Sequence, residues 1–379
     1  MNLKIKRGVL HTQDYLLAIF LTSFIVTRII VLPSLIANMV PALFGFISYS
    51  YVILKKKMYI QTSILIAIIL SLFMILAMMV NQNCDILDLL WIWSFMGVAM
   101  LIYSFELNST FVLAQYYAFA LFLFYKMISA VSYTNIIVIG SENNISVYLL
   151  LYFALYLLIK DCGSEYVYIN YLHIIIGMIM SIWSASRAGT LTFALGFVLL
   201  FIYNSVKTGK KLRSIIMIFL IILIIYFLFD NVLWSVLMNL QNKVNNYGTS
   251  SLRTVIWEEY CSASISNVEN FLFGPNTQDS RMHWLSFYGG NTHNAFLMLH
   301  AHYGIIPFVF ILGYLASSIV FCVKNGRILI AISIGLLMFR SIFDWTSFPG
   351  IYDVLFYVAI LIFITRKRDY HLKENGELL

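Results

Sequence analysis

Charged residues are scarce in this sequence. They make up 11% of its 379 residues, whereas 61% are hydrophobic. No soluble domain of this length needs so much apolar surface, and a mean hydropathy of +0.87 is typical of a membrane chain. The sequence also lacks a basic surface interleaved with aromatic residues, which excludes nucleic acid as a partner.

Cysteine is rare as well. The four cysteines form neither a CxxC motif nor a metal-ligand spacing, and nothing in their pattern requires a Cys84–Cys261 disulfide. The sequence also has no internal repeat of fixed period. Neither a metal centre nor a disulfide framework is therefore predicted from cysteine.

The hydrophobic residues occur in runs about as long as a bilayer core is thick. We therefore predict an all-α integral membrane protein, with a single polytopic membrane domain over residues 1–379 and about twelve transmembrane helices. The first run follows basic residues, but it lacks a small-residue cleavage site and leads into a second run, so we interpret it as a retained helix. The predicted spans are 15–32, 35–54, 58–80, 86–104, 110–132, 145–160, 166–183, 188–206, 214–233, 305–323, 327–343 and 350–365.

The distribution of Lys and Arg gives the orientation. Most of them fall on one side of the membrane if both the N-terminus and the C-terminus are cytoplasmic, the side on which basic residues are retained. Segment 234–292, between the ninth and tenth spans, then forms a large outward-facing loop, in which "FGPN" at 273–276 predicts a turn. The stretch "SLRTVIWEEYCSASI" in this loop predicts a short amphipathic helix from its apolar residues Leu252, Val255, Ile256 and Tyr260.

Seven of the 24 Lys and Arg residues do not follow this orientation rule, and all of them fall in the outward half of the predicted topology. A charge within a span faces a water-filled cavity or a partner, although snorkelling to the headgroups is the alternative for those near helix ends. Because five are arginines, whose planar fork suits phosphate oxygens, we favour a shared anionic ligand such as a lipid-linked diphosphate. Asp344 is placed to orient one guanidinium or to take part in chemistry. The seven are Arg28, Lys126, Arg187, Lys243, Arg253, Arg281 and Arg340.

Three histidines occur in "GGNTHNAFLMLHAHYG", residues 289–304. If residues 293–303 form a helix, His300 lies within about 20° of His293, and His302 lies on the opposite side. Asn294 then falls in the first helical turn, with Asn291 or Thr292 as the capping residue.

Three roles are open to these histidines. A zinc site lacks an HExxH motif or a nearby carboxylate, and packing is the second alternative. We favour His293 as a general base, because neutral imidazole accepts a proton from a sugar hydroxyl near neutral pH. Neighbouring arginines lower the pKa of His293 and favour that neutral form.

Four segments together resemble the superfamily of O-antigen polymerases and O-antigen ligases, which are bacterial envelope glycosyltransferases. "FRSIFDW" at 339–345 is similar to the acid-bearing segment of the ligases, and Pro307 departs from the family pattern by replacing a small residue. The resemblance covers residues 180–350. The other three segments are "SASRAG", "SLRTVIWEEY…NFLFGPN" and "THNAFLMLHAHYGIIPFVFIL".

The resemblance implies a fold of about twelve transmembrane helices, related to the GT-C-like lipid-dependent glycosyltransferases, in the bacterial inner (plasma) membrane. It implies a metal-independent inverting enzyme without a cofactor, acting on an undecaprenyl-diphosphate-linked oligosaccharide donor and acceptor, with membrane lipid and a chain-length regulator protein as partners. By motif, Arg187 and Arg253 hold the diphosphate, His293 activates the acceptor, and Asp344 assists. The further substrate-binding residues expected here are Arg28, Lys126, Arg281, Asn294, His300 and Arg340.

Three functions remain open from the sequence. The first is a polymerase that joins lipid-linked repeat units into O-antigen or capsular polysaccharide. The second is a ligase that transfers the finished chain to lipid A-core. The third is a flippase or other transporter, which is less favoured because the polar features lie mostly in the second half, whereas carriers tend to have two similar halves.

Overall fold

The computed structural model describes residues 10–56, 60–161, 168–208 and 252–365. In this part of the chain all regular structure is helical and no strand occurs, as predicted. A 3₁₀ turn spans Tyr133–Asn135. The helices are α1 (Thr12–Ile29), α2 (Ser34–Lys55), α3 (Ile60–Asn81), α4 (Ile86–Ser104), α5 (Ser109–Ile128), α6 (Asn144–Asp161), α7 (Leu172–Trp183), α8 (Arg187–Thr208), α9 (Arg253–Ser264), α10 (Val268–Phe273), α11 (His283–Phe287), α12 (Ala295–Tyr303), α13 (Ile305–Lys324), α14 (Ile328–Ser341) and α15 (Asp353–Thr365).

Seven of these helices, α2 to α6, α8 and α13, are long and apolar enough to cross a membrane. The other predicted spans in the described part correspond to α1 and to three shorter apolar helices, α7, α14 and α15. The predicted span 214–233 and the predicted outward cation Lys243 lie outside the described residues. An all-α protein with several candidate membrane spans is thus established, while the count of about twelve stays a prediction.

Polar side chains fix several helix starts. Asp85 accepts hydrogen bonds from the backbone N–H groups of Leu87 and Asp88 at the start of α4. Asn108 does the same for Thr110 and Phe111 at the start of α5. Such caps satisfy donors that the first turn of a helix leaves unpaired, so the interruptions between apolar runs become defined helix boundaries.

The core is built around α4 and α6. α4 packs against α2, α3 and α15, and α6 packs against α5, α7 and α14. α6 is buried on all sides from Ile145 to Leu158, as expected of a helix surrounded by other helices. The peripheral helices instead turn large apolar side chains outward, among them Leu65, Leu72 and Met79 of α3. An exterior of this kind suits contact with lipid.

The contact of α6 and α14 determines where the polar residues meet. α14 ends beside the beginning of α6, and α8 begins at the same place. The approach of α8 is so close that a Cβ added at Gly189 would lie 2.4 Å from Cβ of Ser146. Three helix ends therefore converge around the N-terminus of α6.

Candidate functional site

Arg340, at the end of α14, is the centre of this convergence. Its side chain is 0% exposed, and its Nη2 donates to Asp344 Oδ2 over 3.1 Å and to Ser146 Oγ over 3.5 Å. Its Nε and Nη1 atoms are buried and have no hydrogen-bond partner in the described part of the protein. Unpaired buried donors on a charged group are costly, so this guanidinium is suited to receive an anion.

Arg187 is the first residue of α8, which begins beside Arg340. Ser186 precedes it, and Oγ of Ser186 accepts from the backbone N–H of Gly189 and lies 3.0 Å from Oγ of Ser146. The N-terminal end of a helix carries unpaired N–H groups and a partial positive charge. The beginning of α8 therefore adds to the positive potential around Arg340.

Arg253 is the first residue of α9 and reaches the same region. Burial lowers the pKa of Arg253, Asp344 opposes this, and the positive charges of Arg340 and Arg187 lower the pKa further. Arg253 is thus close enough to Arg340 and Arg187 for their charges to act on it. We call Arg187, Arg253 and Arg340 the cation cluster, and Asp344 is the carboxylate that accompanies it.

His293 lies at the edge of the cation cluster. Burial lowers the pKa of its imidazole, Asp344 opposes this, and Arg253 lowers the pKa further. The ring packs edge-on against Tyr288 at a centroid distance of 5.3 Å. The neutral imidazole is therefore favoured near neutral pH, as expected of a general base.

α9 contributes to the cation cluster and also fixes the loop that contains His293. The indole N–H of Trp257 donates to the Thr292 carbonyl oxygen over 2.8 Å, and the His293 backbone N–H donates to Asn291 Oδ1 over 2.8 Å. One short helix thus carries Arg253 at its first residue and fixes the loop that presents His293.

Strained backbone conformations occur in the segments that carry the site residues. Three non-glycine residues with positive φ, Ala185 (51°), His293 (52°) and Phe348 (67°), lie in the segments that carry Arg187, His293 and Asp344. Such conformations cost on the order of 1–3 kcal/mol each and persist only where the surroundings enforce them. They tend to occur at functional sites, which supports the assignment of this region.

The predicted helix over residues 293–303 is wrong at its start. α12 begins at Ala295, and its N-cap is Asn294, whose Oδ1 accepts from the backbone N–H groups of Phe296 and Leu297 over 2.9 and 3.2 Å. Asn291 and Thr292 therefore do not cap α12, and His293 lies outside it. The expectation that His293 and His300 share a helical face fails for this reason.

His300 and His302 have protein partners. His300 lies between Tyr260, whose hydroxyl is 2.8 Å from Nδ1, and the Phe271 carbonyl oxygen, 2.9 Å from Nε2. With Nε2 protonated, both bonds form on a neutral ring that ties α12 to α9 and α10. His302 is buried, and its Nδ1 is 3.0 Å from the Phe348 carbonyl oxygen.

Three other predicted cations have local partners of their own. Arg28 donates to the Ala37 carbonyl oxygen and to Asn38 Oδ1, each over 2.8 Å, and so braces the turn between α1 and α2. Lys126 Nζ lies 5.5 Å from the centroid of the Phe122 ring. Arg281 pairs with Asp279 at the surface, where this hydrogen bonding lowers the pKa of Asp279 to about 2. Their described contacts do not connect them to the cation cluster, so their expected contact with substrate stays a prediction.

Asn81 and Asn83, at the end of α3, position the site and were missed from the sequence. Asn81 Nδ2 donates to the carbonyl oxygens of Phe273 and Ala301 over 2.7 and 2.8 Å. Asn83 Nδ2 donates to the carbonyl oxygens of Pro275 and Ala301, and its Oδ1 accepts from the Thr277 N–H. These amides join the "FGPN" turn to the end of α12. Their signal in the sequence is only the short polar motif "NQN" after an apolar run.

Two glycines allow the same segments to approach. Gly274 has φ of 83°, and a Cβ there would lie 2.7 Å from Cα of Ala301. Gly304 has φ of 81°, and a Cβ there would lie 2.4 Å from the Leu272 carbonyl oxygen. Pro307, the departure from the family pattern, is the third residue of α13, where its missing N–H would have no helical partner.

This arrangement of residues suits the binding of an anion beside a neutral imidazole. Among the described residues no three His, Cys, Asp or Glu side chains are grouped to hold a metal ion. Cys84 and Cys261 are both free thiols.

No protein-family model matches the chain, and no curated protein matches it either. Within the described residues, the fold and site define an all-helical protein with several candidate membrane spans and a buried cationic site. Function must therefore be inferred from the contacts of that site.

Proposed function

We propose that this protein is a glycosyltransferase that polymerises undecaprenyl-diphosphate-linked oligosaccharide repeat units at the outer face of the bacterial inner membrane. The observation that carries the proposal is Arg340, fully buried beside Asp344 with Nε and Nη1 unpaired. A diphosphate is a ligand whose oxygens fit such a fork, and Arg187 and Arg253 add charge to the same site.

The reaction would be an inverting displacement at the anomeric carbon of the donor sugar. The acceptor hydroxyl oxygen forms a bond to C1 while the bond from C1 to the diphosphate oxygen breaks. A ring nitrogen of His293 takes the hydroxyl proton, and the diphosphate leaves with both electrons of the broken bond. His293 suits this role because burial and Arg253 keep its pKa low, so that the imidazole is neutral before it accepts the proton.

The cation cluster would stabilise the leaving group. Charge that develops on the diphosphate meets preorganised guanidiniums, a contribution that is often the largest in a rate enhancement. Asp344 holds Nη2 of Arg340 and so leaves Nε and Nη1 directed elsewhere, which gives this carboxylate an orienting role. In such a site guanidiniums do the work of a cation, so the chemistry needs no metal ion.

The test uses purified protein in lipid nanodiscs with lipid-linked repeat units, and a gel records the ladder of longer products. We expect a ladder from the native protein and a loss of about 10²–10⁴-fold in rate for His293→Gln, the usual contribution of a general base. The matched control is His283→Gln, because His283 is exposed at the start of α11.

Two results would count against the proposal. One is full elongation by His293→Gln. The other is transfer of a chain to lipid A-core without any ladder, which would assign the ligase reaction in place of polymerisation.

A further inference from the structure

α9 separates two polar regions of opposite charge. At 100° per residue, Glu258, Glu259 and Ser262 lie about 140°, 240° and 180° around the helix from Arg253. Arg253 shares its side of the helix with the buried residue Tyr260. The cation cluster therefore lies on one side of α9, and carboxylates lie on the other.

The carboxylate side of α9 forms one wall of a cavity of about 610 Å³, which we call the polar cleft. Its other walls come from the end of α3, from α10 and from the segment before α11. This volume falls in the range of pockets that enclose small organic ligands. Residues that line the polar cleft include Glu258, Glu259, Ser262, Glu269, Asn276 and the ion pair of Asp279 with Arg281, so that carboxylates outnumber cations among these residues.

The walls of the polar cleft are held in place by protein contacts. Glu259 accepts from the backbone N–H groups of Trp284 and Leu285, which fixes the start of α11 against α9. Asn81 fixes the floor through its bonds to the "FGPN" turn and α12. Glu258 and Glu269 are exposed and accept no hydrogen bond from the described residues. Their carboxylates are thus available within a preformed cavity.

The chemistry of the lining selects the class of ligand. Its carboxylates are spread around the walls, and among the described residues they form no group suited to a metal ion. Negative charge also disfavours a phosphate or an acidic sugar. A saccharide without acidic groups fits, because its many hydroxyls donate to separate carboxylates and accept from amides and hydroxyls.

We propose that the polar cleft binds the uncharged part of the saccharide chain, while the cation cluster holds the diphosphate on the other side of α9. This inference rests on the proposed function, since it assigns one end of the same lipid-linked substrate. The two regions are about one helix diameter apart, roughly 10 Å, so one substrate can occupy both. The polar cleft then determines which saccharide chains the protein binds.

The experiment measures the binding of sugar without diphosphate. Mild acid releases the free oligosaccharide from lipid-linked repeat units of the cells that make this protein, and calorimetry measures its Kd for the full chain in nanodiscs. The double variant Glu258→Gln/Glu269→Gln should weaken binding about tenfold or more, because two carboxylate acceptors become neutral amides. The control Glu106→Gln changes an exposed carboxylate before α5 and should leave Kd unchanged.

Failure of this inference is distinguishable from failure of the proposed function. Absence of binding by the native protein, or an unchanged Kd in the double variant with an unchanged melting temperature, overturns the polar cleft even if the protein elongates lipid-linked chains. Binding that depends on Glu258 and Glu269 supports the polar cleft even if no ladder forms. Arg340→Lys should bind the free oligosaccharide normally, and a loss of binding there would contradict two separate regions.

Discussion

Replacing Arg340 by lysine tests whether its free N–H groups contact the diphosphate. A guanidinium has five N–H donors, and the two on Nη2 face Asp344 and Ser146. The three donors on Nε and Nη1 have no partner among the described residues. A lysine ammonium has three donors in all, so one remains after the contacts to Asp344 and Ser146 are kept.

Arg340→Lys would thus remove two charge-assisted hydrogen bonds to the ligand. At about 1.5–3 kcal/mol for each bond, the loss is about 3–6 kcal/mol, or roughly 10²–10⁴-fold in transfer rate. Folding stability should fall much less, by about 1 kcal/mol, because the positive charge beside Asp344 is retained. Arg340→Leu is a poorer probe, since it leaves Asp344 unpaired and costs about 3–5 kcal/mol of stability for that reason alone.

The assay compares initial rates of ladder formation with melting temperatures of the same preparations. Arg327→Lys is the matched control, because Arg327 caps the other end of α14, about 20 Å away, and donates to the Asp161 carbonyl oxygen. A rate for Arg340→Lys within threefold of the native rate, with an unchanged melting temperature, would refute this assignment of the free donors.

Three more predictions concern the pH profile and the scaffold. The acid limb of kcat/KM should lie below pH 6.5, because burial lowers the pKa of His293 and the neutral ring is the active form. Asp344→Asn should move this limb to still lower pH, because the Asp344 carboxylate raises the pKa of His293. A shift of the limb to higher pH in that variant would contradict the assigned charges. His300→Phe should lower the free energy of unfolding by about 1–3 kcal/mol, since it leaves the buried Tyr260 hydroxyl without its partner, and equal stability in denaturant titration would argue against that bond. Gly274→Ala should lower the melting temperature, because a φ of 83° costs about 1–3 kcal/mol for alanine and the new Cβ would clash with the backbone of α12. An unchanged melting temperature would exclude this close approach.

Helix positions were largely predictable, because apolar runs and caps are local signals. The predicted span 166–183 starts before α7, which begins at Leu172. The cause is a contact with a distant part of the chain. Residues 166–171 are apolar enough to extend the span, but Asn204 of α8 holds Ile169 in a non-helical segment, with its Nδ2 donating to the Ile169 carbonyl and its Oδ1 accepting from the Ile169 N–H. Hydropathy does not record such a bond between distant parts of the chain.

Counting charges that do not fit the membrane orientation singled out seven cations, and among them the charges of Arg187 and Arg340 act on Arg253. The geometry of the histidines did not follow from the sequence. "NTHNAF" contains several residues that can cap a helix, and only the folded loop selects Asn294 and places His293 in a left-handed conformation. The role of Asn81 could not be predicted from the sequence for a related reason, because its three carbonyl partners come from segments far along the chain.

The cation cluster opposes folding, and this explains why the surrounding scaffold is so strongly connected. The positive charges of Arg187 and Arg340 act on Arg253, Arg340 has buried donors without a partner among the described residues, and three nearby residues adopt strained backbone conformations. Each of these features costs free energy that the packing of α6, α8 and α14 and the amide bonds of Asn81 must offset. An anion bound in the cation cluster would satisfy the donors and reduce the repulsion, and so return stability in proportion to the logarithm of its concentration relative to Kd. Under the proposed glycosyl transfer, the free energy that these features cost the protein alone would become available to bind the diphosphate and to stabilise its developing charge, as expected of a rigid cationic site that accelerates departure of such a group.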